Sequence, residues 1–561
     1  MLPEIARIDK FMSRKVVVNR VVLWFLAVTA FSRVEFDAFG DTAWIVPVDG
    51  LWREPLNWSF GAPGVHQPVT HIANIGSKIV TVDAATPATN LVVQRLNLSG
   101  PSGTNRLLLT DVELQLRSSL EMRAGSELYI TNSTLQLRGG DAGSSLNLNA
   151  GEIRLQSGLL ASSNVSTRVG LTGRGVMFVE GGASMLEEVL VGVRVGSFGS
   201  IYLSGGILSV TKDLDIGDDL GSRGEIVVTG GELVATGSNF VTRIGDDGEG
   251  SMVISNGVVR LDDVSVARHV TGTLHLAGGT LFAGDVSLGR FPNSTGMVFQ
   301  TGGEYFSSDV VRVGHEGRGE LTISGGMFVA EGMNVAGATN TASGLLTLSG
   351  GTILLSSNLL IGGTVSTGEV VLAGGTLVIT NLNQNGTLEI AQGTATLSGS
   401  DLTVDQLTIA SNTAQLIFEK GILGSASTVI SNGLPFVVGD GTNSATFHLR
   451  GGTHYFADGL MISSNAILSG CGTIIGNVIN QGTIATNCLT APVLVQPAHS
   501  AGAFSFQFNS QSGALYTVEY KSVLAAGSWT FLLSTNGTGG PMLVEDPAPA
   551  DRARFYRVKV Q

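Results

Sequence analysis

The stretch GSIYLSGGILSV, residues 199–210, reads as a short strand, a tight Gly-Gly turn and a second strand. Nearly the same phrase returns along the chain, and a further glycine stands six positions ahead of each doublet. The doublets are Gly181-Gly182, Gly205-Gly206, Gly230-Gly231, Asn256-Gly257, Gly278-Gly279, Gly302-Gly303, Gly325-Gly326, Gly350-Gly351 and Gly374-Gly375. Their successive spacings are 24, 25, 26, 22, 24, 23, 25 and 24 residues. A fixed period of this length indicates a repeat architecture.

Apolar residues alternate with polar ones between those glycines, as Ile201 and Leu203 do. A period of two places them on one face of a strand. The second residue after each doublet is again apolar, and a third short run ends in an apolar residue followed by glycine, as at Ile216-Gly217. Three short strands and three turns in about 24 residues predict one coil of a parallel β-solenoid.

Stacking explains why such a unit repeats. One coil cannot enclose a core, whereas coils stacked at roughly 4.8 Å pair each strand with its neighbours and join the inward residues into one apolar column. A register from residue 76 to residue 490 predicts roughly 17 coils and a rod on the order of 80 Å long. A propeller of the WD type is excluded because its blades need about 40 to 45 residues.

Composition agrees with a long, ordered repeat. Glycine occupies 77 of 561 positions and proline only 14, so the glycine excess differs from that of a disordered Pro/Gly linker. The formal charge of −13 argues against nucleic-acid binding, which needs clustered Lys and Arg. We expect the acidity to serve solubility, and we expect a monomeric rod.

The N-terminus predicts export. Arg14, Lys15 and Arg20 precede an apolar run over residues 21–31, which is the layout of a secretory signal. That run is too short for a membrane span, which needs about 20 residues. We therefore expect a signal peptide within residues 1–40, cleaved after Ala30 or Gly40, and no membrane anchor after cleavage.

Two segments flank the predicted solenoid. Residues 41–75 hold Trp44, Trp52 and Trp58, and they predict an aromatic cap over the first coil; sugar stacking on these rings is the alternative. Residues 491–561 contain short alternating runs separated by Ser, Gly, Asn and Pro turns, which predict a small C-terminal β-sandwich. That module either closes its own core or offers a glycan-binding face.

Three motifs together resemble bacterial secreted proteins with autotransporter-passenger-like β-helical repeats. They are the cap residues Trp52, Asn57, Trp58, Gly61 and Pro63, the glycine-framed coils, and the closing FADGLMISSNAILSGCGTIIGNVINQGTIAT of residues 456–486. The resemblance covers residues 44–490. It implies a right-handed parallel β-helix outside the cell or at the cell surface of a bacterium, and it implies no defined chemistry. The chain departs from the family in that its last 70 or so residues lack the pattern of a membrane β-barrel, so we expect no self-translocation.

Acidic turns are the best candidates for chemistry. IGDDLGSRGE and IGDDGEGS place Asp218 and Asp219 one coil away from Asp246 and Asp247. Stacked carboxylates suit a structural Ca²⁺ ion, or the acid and base of a polysaccharide-degrading enzyme. A solvated turn is the simpler interpretation, and the sequence predicts no other cofactor.

Cys471 and Cys488 are the only cysteines. In an exported chain they allow one disulfide, which would close a loop of 17 residues and could stabilise the fold by about 3 kcal/mol. Two separate buried thiols are the alternative.

Taken as a whole, the sequence predicts an all-β, non-enzymatic exported repeat protein that acts in adhesion, surface structure or contact with polysaccharide or cell-envelope components. The alternative is a β-helical polysaccharide lyase or glycoside hydrolase, which would depend on Asp218, Asp219, Asp246 or Asp247.

Overall fold

The computed structural model describes residues 40–73, 76–140, 144–237, 240–337, 342–486, 492–500, 502–523, 528–547 and 554–560. The predicted signal segment, apart from Gly40, lies outside these ranges. The described chain is all-β and forms a parallel β-solenoid of about 18 turns with about 24 residues per turn, followed by two small antiparallel sheets. In these ranges, no helix has the length and apolar character needed to cross a membrane.

The most regular coils lie between residues 174 and 390, and each contributes three strands. The first strands are Arg174–Val179, Phe198–Leu203, Arg223–Val228, Glu249–Ile254, Thr271–Leu276, Thr295–Gln300, Arg318–Ile323, Ser343–Leu348 and Gly368–Leu372. The second strands are Ala183–Leu186, Ile207–Val210, Glu232–Ala235, Val258–Leu261, Thr280–Ala283, Glu304–Ser307, Met327–Ala330, Thr352–Leu355 and Thr376–Ile379. The third strands are Glu188–Val191, Leu214–Ile216, Val241–Ile244, Asp263–Val266, Val286–Leu288, Val310–Val313, Gly332–Val335, Asn358–Ile361 and Thr387–Ile390. We call the three sheets that these sets form the first, second and third faces.

Every strand in this region pairs in parallel with the equivalent strand of the next coil. The glycines that stand six positions ahead of each doublet, here called the framework glycines, lie directly opposite one another. Gly199 lies opposite Gly224, and Gly224 lies opposite Gly250. The period predicted from the sequence is therefore the true structural register. Because side chains alternate along a strand, this register also stacks like positions into columns on the outside and the inside.

Glycine has two different roles in the coil. The second glycine of each doublet is left-handed, with φ between 68° and 86°, a conformation that a side chain with Cβ resists. The framework glycine is needed for space instead. A Cβ on Gly199 would lie 2.1 Å from the carbonyl oxygen of Val169 and 2.3 Å from the backbone nitrogen of Gly192, so only glycine lets the third strand turn so closely under the first.

The inward columns form one continuous core. Leu208, Leu233, Val259, Leu281 and Tyr305, each two residues after a doublet, are all buried. The buried cluster extends from Trp44 to Leu468 without a break. Since each coil buries only the inward half of its strands, the core depends on contacts between coils rather than within one coil.

The N-terminal coils are less regular but use the same register. Their strands are Thr42–Ala43, Gly50–Leu51, Thr70–Ile72, Lys78–Val82, Val92–Leu98, Asn105–Thr110, Glu113–Met122, Ser126–Thr131, Ser133–Arg138, Ser145–Leu148, Gly151–Leu155, Gly158–Ser163 and Ser166–Val169, with 3₁₀ turns at Pro55–Asn57 and Ala88–Asn90. Thr42–Ala43 pairs with Thr70–Ile72, so parallel pairing already begins inside the segment that the sequence assigns to the cap.

Three tryptophans pack over the first coil. Trp58 meets Trp44 and Trp52 edge to face, with ring centroids 5.1 Å apart in both pairs. All three rings are at most 3% exposed. Their burial leaves no ring face open for the alternative, sugar stacking.

The C-terminal coils merge neighbouring strands. Their strands are Gly393–Ile409, Ala414–Ile430, Phe436–Val438, Ala445–Phe456, Leu460–Ile462, Ala466–Ile475, Val478–Asn480 and Thr483–Ala485. The single long strand Gly393–Ile409 pairs with all three strands of the preceding coil. The polypeptide here turns its corners inside single strands, at register shifts and at positive-φ glycines such as Gly452, with φ of 63°, and Gly470, with φ of 82°.

The last strands form two three-stranded antiparallel sheets. One contains Val495–Ser500, Ala503–Asn509 and Pro541–Asp546, and the other contains Leu515–Lys521, Thr530–Asn536 and Phe555–Val560. They share a buried cluster of their own, which includes Phe506, Phe508 and Tyr516. The five alternating runs predicted from the sequence, residues 504–508, 515–520, 529–533, 541–546 and 554–560, each fall within one of these strands or begin one residue ahead of it, and Val495–Ser500 is a sixth strand.

Candidate functional site

The acidic turns lie at the corner that follows the third face. The backbone N–H of Asp246 donates to the carbonyl oxygen of Gly217 at 3.1 Å, and that of Asp247 donates to the carbonyl oxygen of Asp218 at 3.1 Å. Asp218 and Asp246 are therefore neighbours on successive coils, as the spacing predicts. Asp219 and Asp247 point outward and are exposed.

A third carboxylate completes the cluster. Oxygens of Asp215, Asp218 and Asp246 lie within 4.8 Å of one another. Asp215 belongs to the strand Leu214–Ile216, three residues ahead of the acidic turn. The sequence prediction did not include it, although one signal was present: an acidic residue stands between two core apolar residues of the third strand. We call Asp215, Asp218 and Asp246 the acidic corner.

Arginines from the adjacent coils neutralise part of this charge. The Arg243 guanidinium donates to Asp215 at 2.7 Å, and Arg268 donates to Asp246 at 2.9 Å. The side chains of Asp215 and Asp246 are each only 9% exposed. Since a buried carboxylate is stable only when it is paired, these two contacts explain how the chain tolerates both groups.

Burial and mutual repulsion shift two of these carboxyl groups. Burial raises the pKa of Asp215 to about 7, against the opposing effect of Arg243. Burial, followed by the carboxylates of Asp219 and Asp246, raises the pKa of Asp218 to about 6. Both shifts favour the protonated carboxylic acid over the carboxylate at Asp215 and Asp218.

Two kinds of chemistry suit such a group. Three carboxylates can supply oxygen ligands to a hard cation such as Ca²⁺, although Ca²⁺ takes six to eight oxygens and two of the three carboxylates here already accept from arginine. A carboxyl group with a raised pKa can also act as a general acid.

The charge of the column that contains Asp218 and Asp246 changes from negative to positive along the solenoid. The backbone N–H of Arg268 donates to the carbonyl oxygen of Gly245, and that of Arg290 donates to the carbonyl oxygen of Ala267, so these two arginines follow Asp246 in register. On the neighbouring column His269 lies 2.9 Å from Asp247 and stacks on Phe291 with centroids 4.9 Å apart. The carboxylates therefore form a local cluster rather than a continuous ladder.

Two shallow grooves follow the first face near its N-terminal end. One has a volume of about 460 Å³ and is lined by Thr104, Gly125, Ser126, Glu127, Gly151, Glu152, Arg174, Val176, Phe178 and Tyr202. The next has a volume of about 270 Å³ and is lined by Phe198, Arg223, Gly224, Glu225, Glu249, Gly250, Ser251, Thr271 and Thr273. Arg174, Phe198, Arg223 and Glu249 are register partners, so both grooves lie along the same column.

The aromatic rings beside the first groove are already in contact on their faces. Phe178 and Tyr202 stack with centroids 5.1 Å apart, and the Arg154 guanidinium lies 3.8 Å above Phe178. The Phe178 ring is therefore covered on both faces by its own neighbours. Glu152 already accepts from Arg154, whereas the exposed Arg174 guanidinium remains a hydrogen-bond donor for a ligand.

Only one of the two cysteines can be placed. Cys471 lies in the strand Ala466–Ile475 of the last coils. Cys488 lies outside the described residues, so the predicted disulfide stays a prediction.

Comparisons with protein-family models, with curated proteins and with solved structures give no match for this chain. The β-solenoid repeat therefore rests on the sequence period and the strand register together.

Proposed function

We propose that this chain is an exported, non-enzymatic β-solenoid of the autotransporter-passenger-like kind, whose outward faces contact polysaccharide or other cell-envelope components. The observation that carries the proposal is the continuity of the outward columns. The same positions recur coil after coil at the strand spacing, so the first face offers outward side chains at a regular spacing along its length. A polymer with its own repeat is the kind of ligand that such a surface suits.

The two grooves on the first face are the proposed contact surface. Each groove is lined by two carboxylates and one guanidinium group, which are Glu127, Glu152 and Arg174 in one and Glu225, Glu249 and Arg223 in the other. Arg223 and Glu249 are 2.8 Å apart and neutralise each other. A row that mixes carboxylate acceptors with guanidinium donors suits a chain of sugar hydroxyls, and its excess of carboxylates disfavours a polyanion such as nucleic acid.

Co-sedimentation with insoluble neutral and acidic polysaccharides tests this surface. The double variant Arg174→Ala and Arg223→Ala removes an exposed donor from each groove, and we expect it to reduce binding several-fold. Arg318→Ala is the matched control, because Arg318 occupies the same column beyond the grooves and is also exposed. Binding that is equally strong in the double variant, or absent from every polysaccharide tested, would contradict the proposal.

A polysaccharide lyase or hydrolase is the second candidate, and one observation favours it. The raised pKa values of Asp215 and Asp218 suit a general acid. Against it, the carboxylate oxygens lie within 4.8 Å of one another, whereas retaining and inverting glycosidases separate their two carboxyl groups by about 5 to 9.5 Å.

Assays of chain cleavage separate the two candidates. The wild-type chain is incubated with the same polysaccharides, with and without Ca²⁺, and released ends are measured. Cleavage that Asp218→Asn abolishes and Asp219→Asn leaves intact would establish the enzyme and overturn the non-enzymatic proposal. Binding without cleavage is the expected result.

A further inference from the structure

The two ends of the solenoid differ in whether their outermost strands are covered by other residues. At the N-terminal end Trp44, Trp52 and Trp58 are buried, and residues 57–59 bond to the outer edge of the first strand: the N–H of Ser59 donates to the carbonyl oxygen of Ala43 at 2.9 Å. At the C-terminal end the strands Val478–Asn480 and Thr483–Ala485 each pair on one side only within the described chain. An open strand edge of this kind is a template for pairing with another chain.

The exposed end is also apolar. Val478 and Ile484 continue the inward columns of Leu460 and Leu468, which are both 1% exposed. Val478 is nevertheless 36% exposed and Ile484 is 45% exposed. Their side chains are therefore core residues for which the described chain provides no next coil.

Charge is missing from the same region. Residues 459–518 contain no Asp, Glu, Lys or Arg, although such residues make up 14% of the chain and about eight would be expected in this length. Proteins commonly protect open edges with charged side chains, because a charge resists pairing with a second edge. This edge lacks that protection, so pairing is not opposed there.

We infer that the uncharged end, defined here as residues 466–485, joins to the same end of a second copy of this chain. The net charge of −13 makes two copies repel one another over most of their surfaces. The uncharged end is where that repulsion is weakest, and an identical end supplies the matching uncharged, apolar surface. A two-fold axis makes such an interface self-complementary.

The C-terminal sheets of the same chain are the competing occupant. They already bury Phe506, Phe508 and Tyr516 in a core of their own, and Val478 and Ile484 stay exposed although those sheets are present. Both observations favour a second copy. This inference departs from the monomeric rod that the sequence alone predicts.

Light scattering after size exclusion tests the inference on the full chain. We expect a concentration-dependent dimer with twice the mass of the chain. Ile484→Lys places like charges across the two-fold axis and should weaken the dimer at least tenfold. Leu382→Lys is the matched control, because Leu382 is fully exposed elsewhere on the solenoid, and it should leave the dimer unchanged. Circular dichroism confirms that both variants keep their β structure.

A monomer at every concentration overturns the inference, as does a dimer that Ile484→Lys does not weaken. A photo-crosslinking residue at position 484 distinguishes the two occupants. A covalent product of twice the chain mass supports pairing between copies. A crosslink within one chain to residues 492–560 overturns it in favour of the C-terminal sheets.

Discussion

Single residues decide how tightly each coil turns. At the end of the third strand the chain needs a left-handed residue, and glycine supplies it at Gly217, Gly245 and Gly314, with φ of 76°, 81° and 79°. Two coils use alanine at the same position: Ala267 has φ of 65° and Ala336 has φ of 68°. A left-handed conformation costs a residue with Cβ roughly 1–2 kcal/mol, so these two corners are strained.

Replacing Ala336 by glycine should therefore stabilise the solenoid. The relief of strain exceeds the extra entropy that glycine loses on folding, and we expect a net gain of about 0.5–1 kcal/mol. Hydrogen exchange of the flanking strands should slow correspondingly. Ala330→Gly is the control: Ala330 lies in the strand Met327–Ala330, where glycine brings no relief and should destabilise. Equal effects of the two substitutions would contradict the explanation.

Asp218 makes stability depend on pH. Its pKa is raised to about 6, so the folded state holds the proton more tightly than the unfolded state, whose Asp has a pKa near 3.9. The contribution of Asp218 to stability is therefore fully present below about pH 4 and is lost as the pH rises towards 6. The facing carboxylates of Asp219, Asp246, Asp247 and Glu188 all act in this direction.

The neutral variant Asp218→Asn should remove that loss. The full shift corresponds to nearly 3 kcal/mol, and because Asp218 is partly exposed to solvent we expect about 1 kcal/mol of stabilisation at pH 8 and little change at pH 4. Asp219→Asn, at an exposed position, should change stability by less than about 0.5 kcal/mol. Thermal unfolding at both pH values measures the difference. A gain that persists undiminished at pH 4 would contradict the role of ionisation.

The sequence predicts the strand register and two of the three residues of the acidic corner. The glycine period predicted the register because the steric need for glycine recurs at one place in every coil. Asp218 and Asp246 could be paired from that period alone. Asp215 could not, because it reaches the same corner from the preceding strand, and the sequence does not show how sharply the chain bends between Ile216 and Asp218.

Among the elements, the tryptophan cap has the clearest energetic role. Trp52 is fully buried, and its indole N–H donates to the carbonyl oxygen of Asn90 at 2.9 Å. The indole N–H of Trp58 donates to the carbonyl oxygen of Trp52 at 2.9 Å, so the cap is held by hydrogen bonds as well as by packing. The sequence predicted an aromatic cap from composition, but only the structure shows that these rings are unavailable to ligands.

Truncating the cap should open the first coil. Trp52→Ala removes a large buried side chain and should cost about 3–5 kcal/mol. Trp52→Phe keeps most of the packing and loses the hydrogen bond to Asn90, so we expect a smaller cost of about 1–3 kcal/mol. Binding of a hydrophobic dye and hydrogen exchange of residues 78–98 report the opening. Similar costs for the two variants would show that packing is not the main contribution of the ring.

At the scale of the whole molecule, contacts between coils replace the long-range packing of a globular domain. Each coil contacts only its neighbours, so stability is close to a sum of coil and interface terms. The architecture could be predicted from the sequence because the same glycine-framed unit of about 24 residues repeats many times. The sequence could not predict that, within the described chain, no coil follows residues 466–485, because these residues carry the same alternation as a coil that has a successor.

The separate core of the C-terminal sheets leads to a prediction about unfolding of the full chain. Phe506, Phe508, Tyr516 and Val544 pack with one another and do not join the cluster that runs from Trp44 to Leu468. Two cores without shared side chains should unfold in two calorimetric transitions. Tyr516→Ala, which truncates a fully buried ring, should lower only one of them, and Phe328→Ala, which truncates a fully buried ring of the solenoid, should lower only the other. One transition that both substitutions shift equally would mean that the two cores unfold as a single cooperative unit.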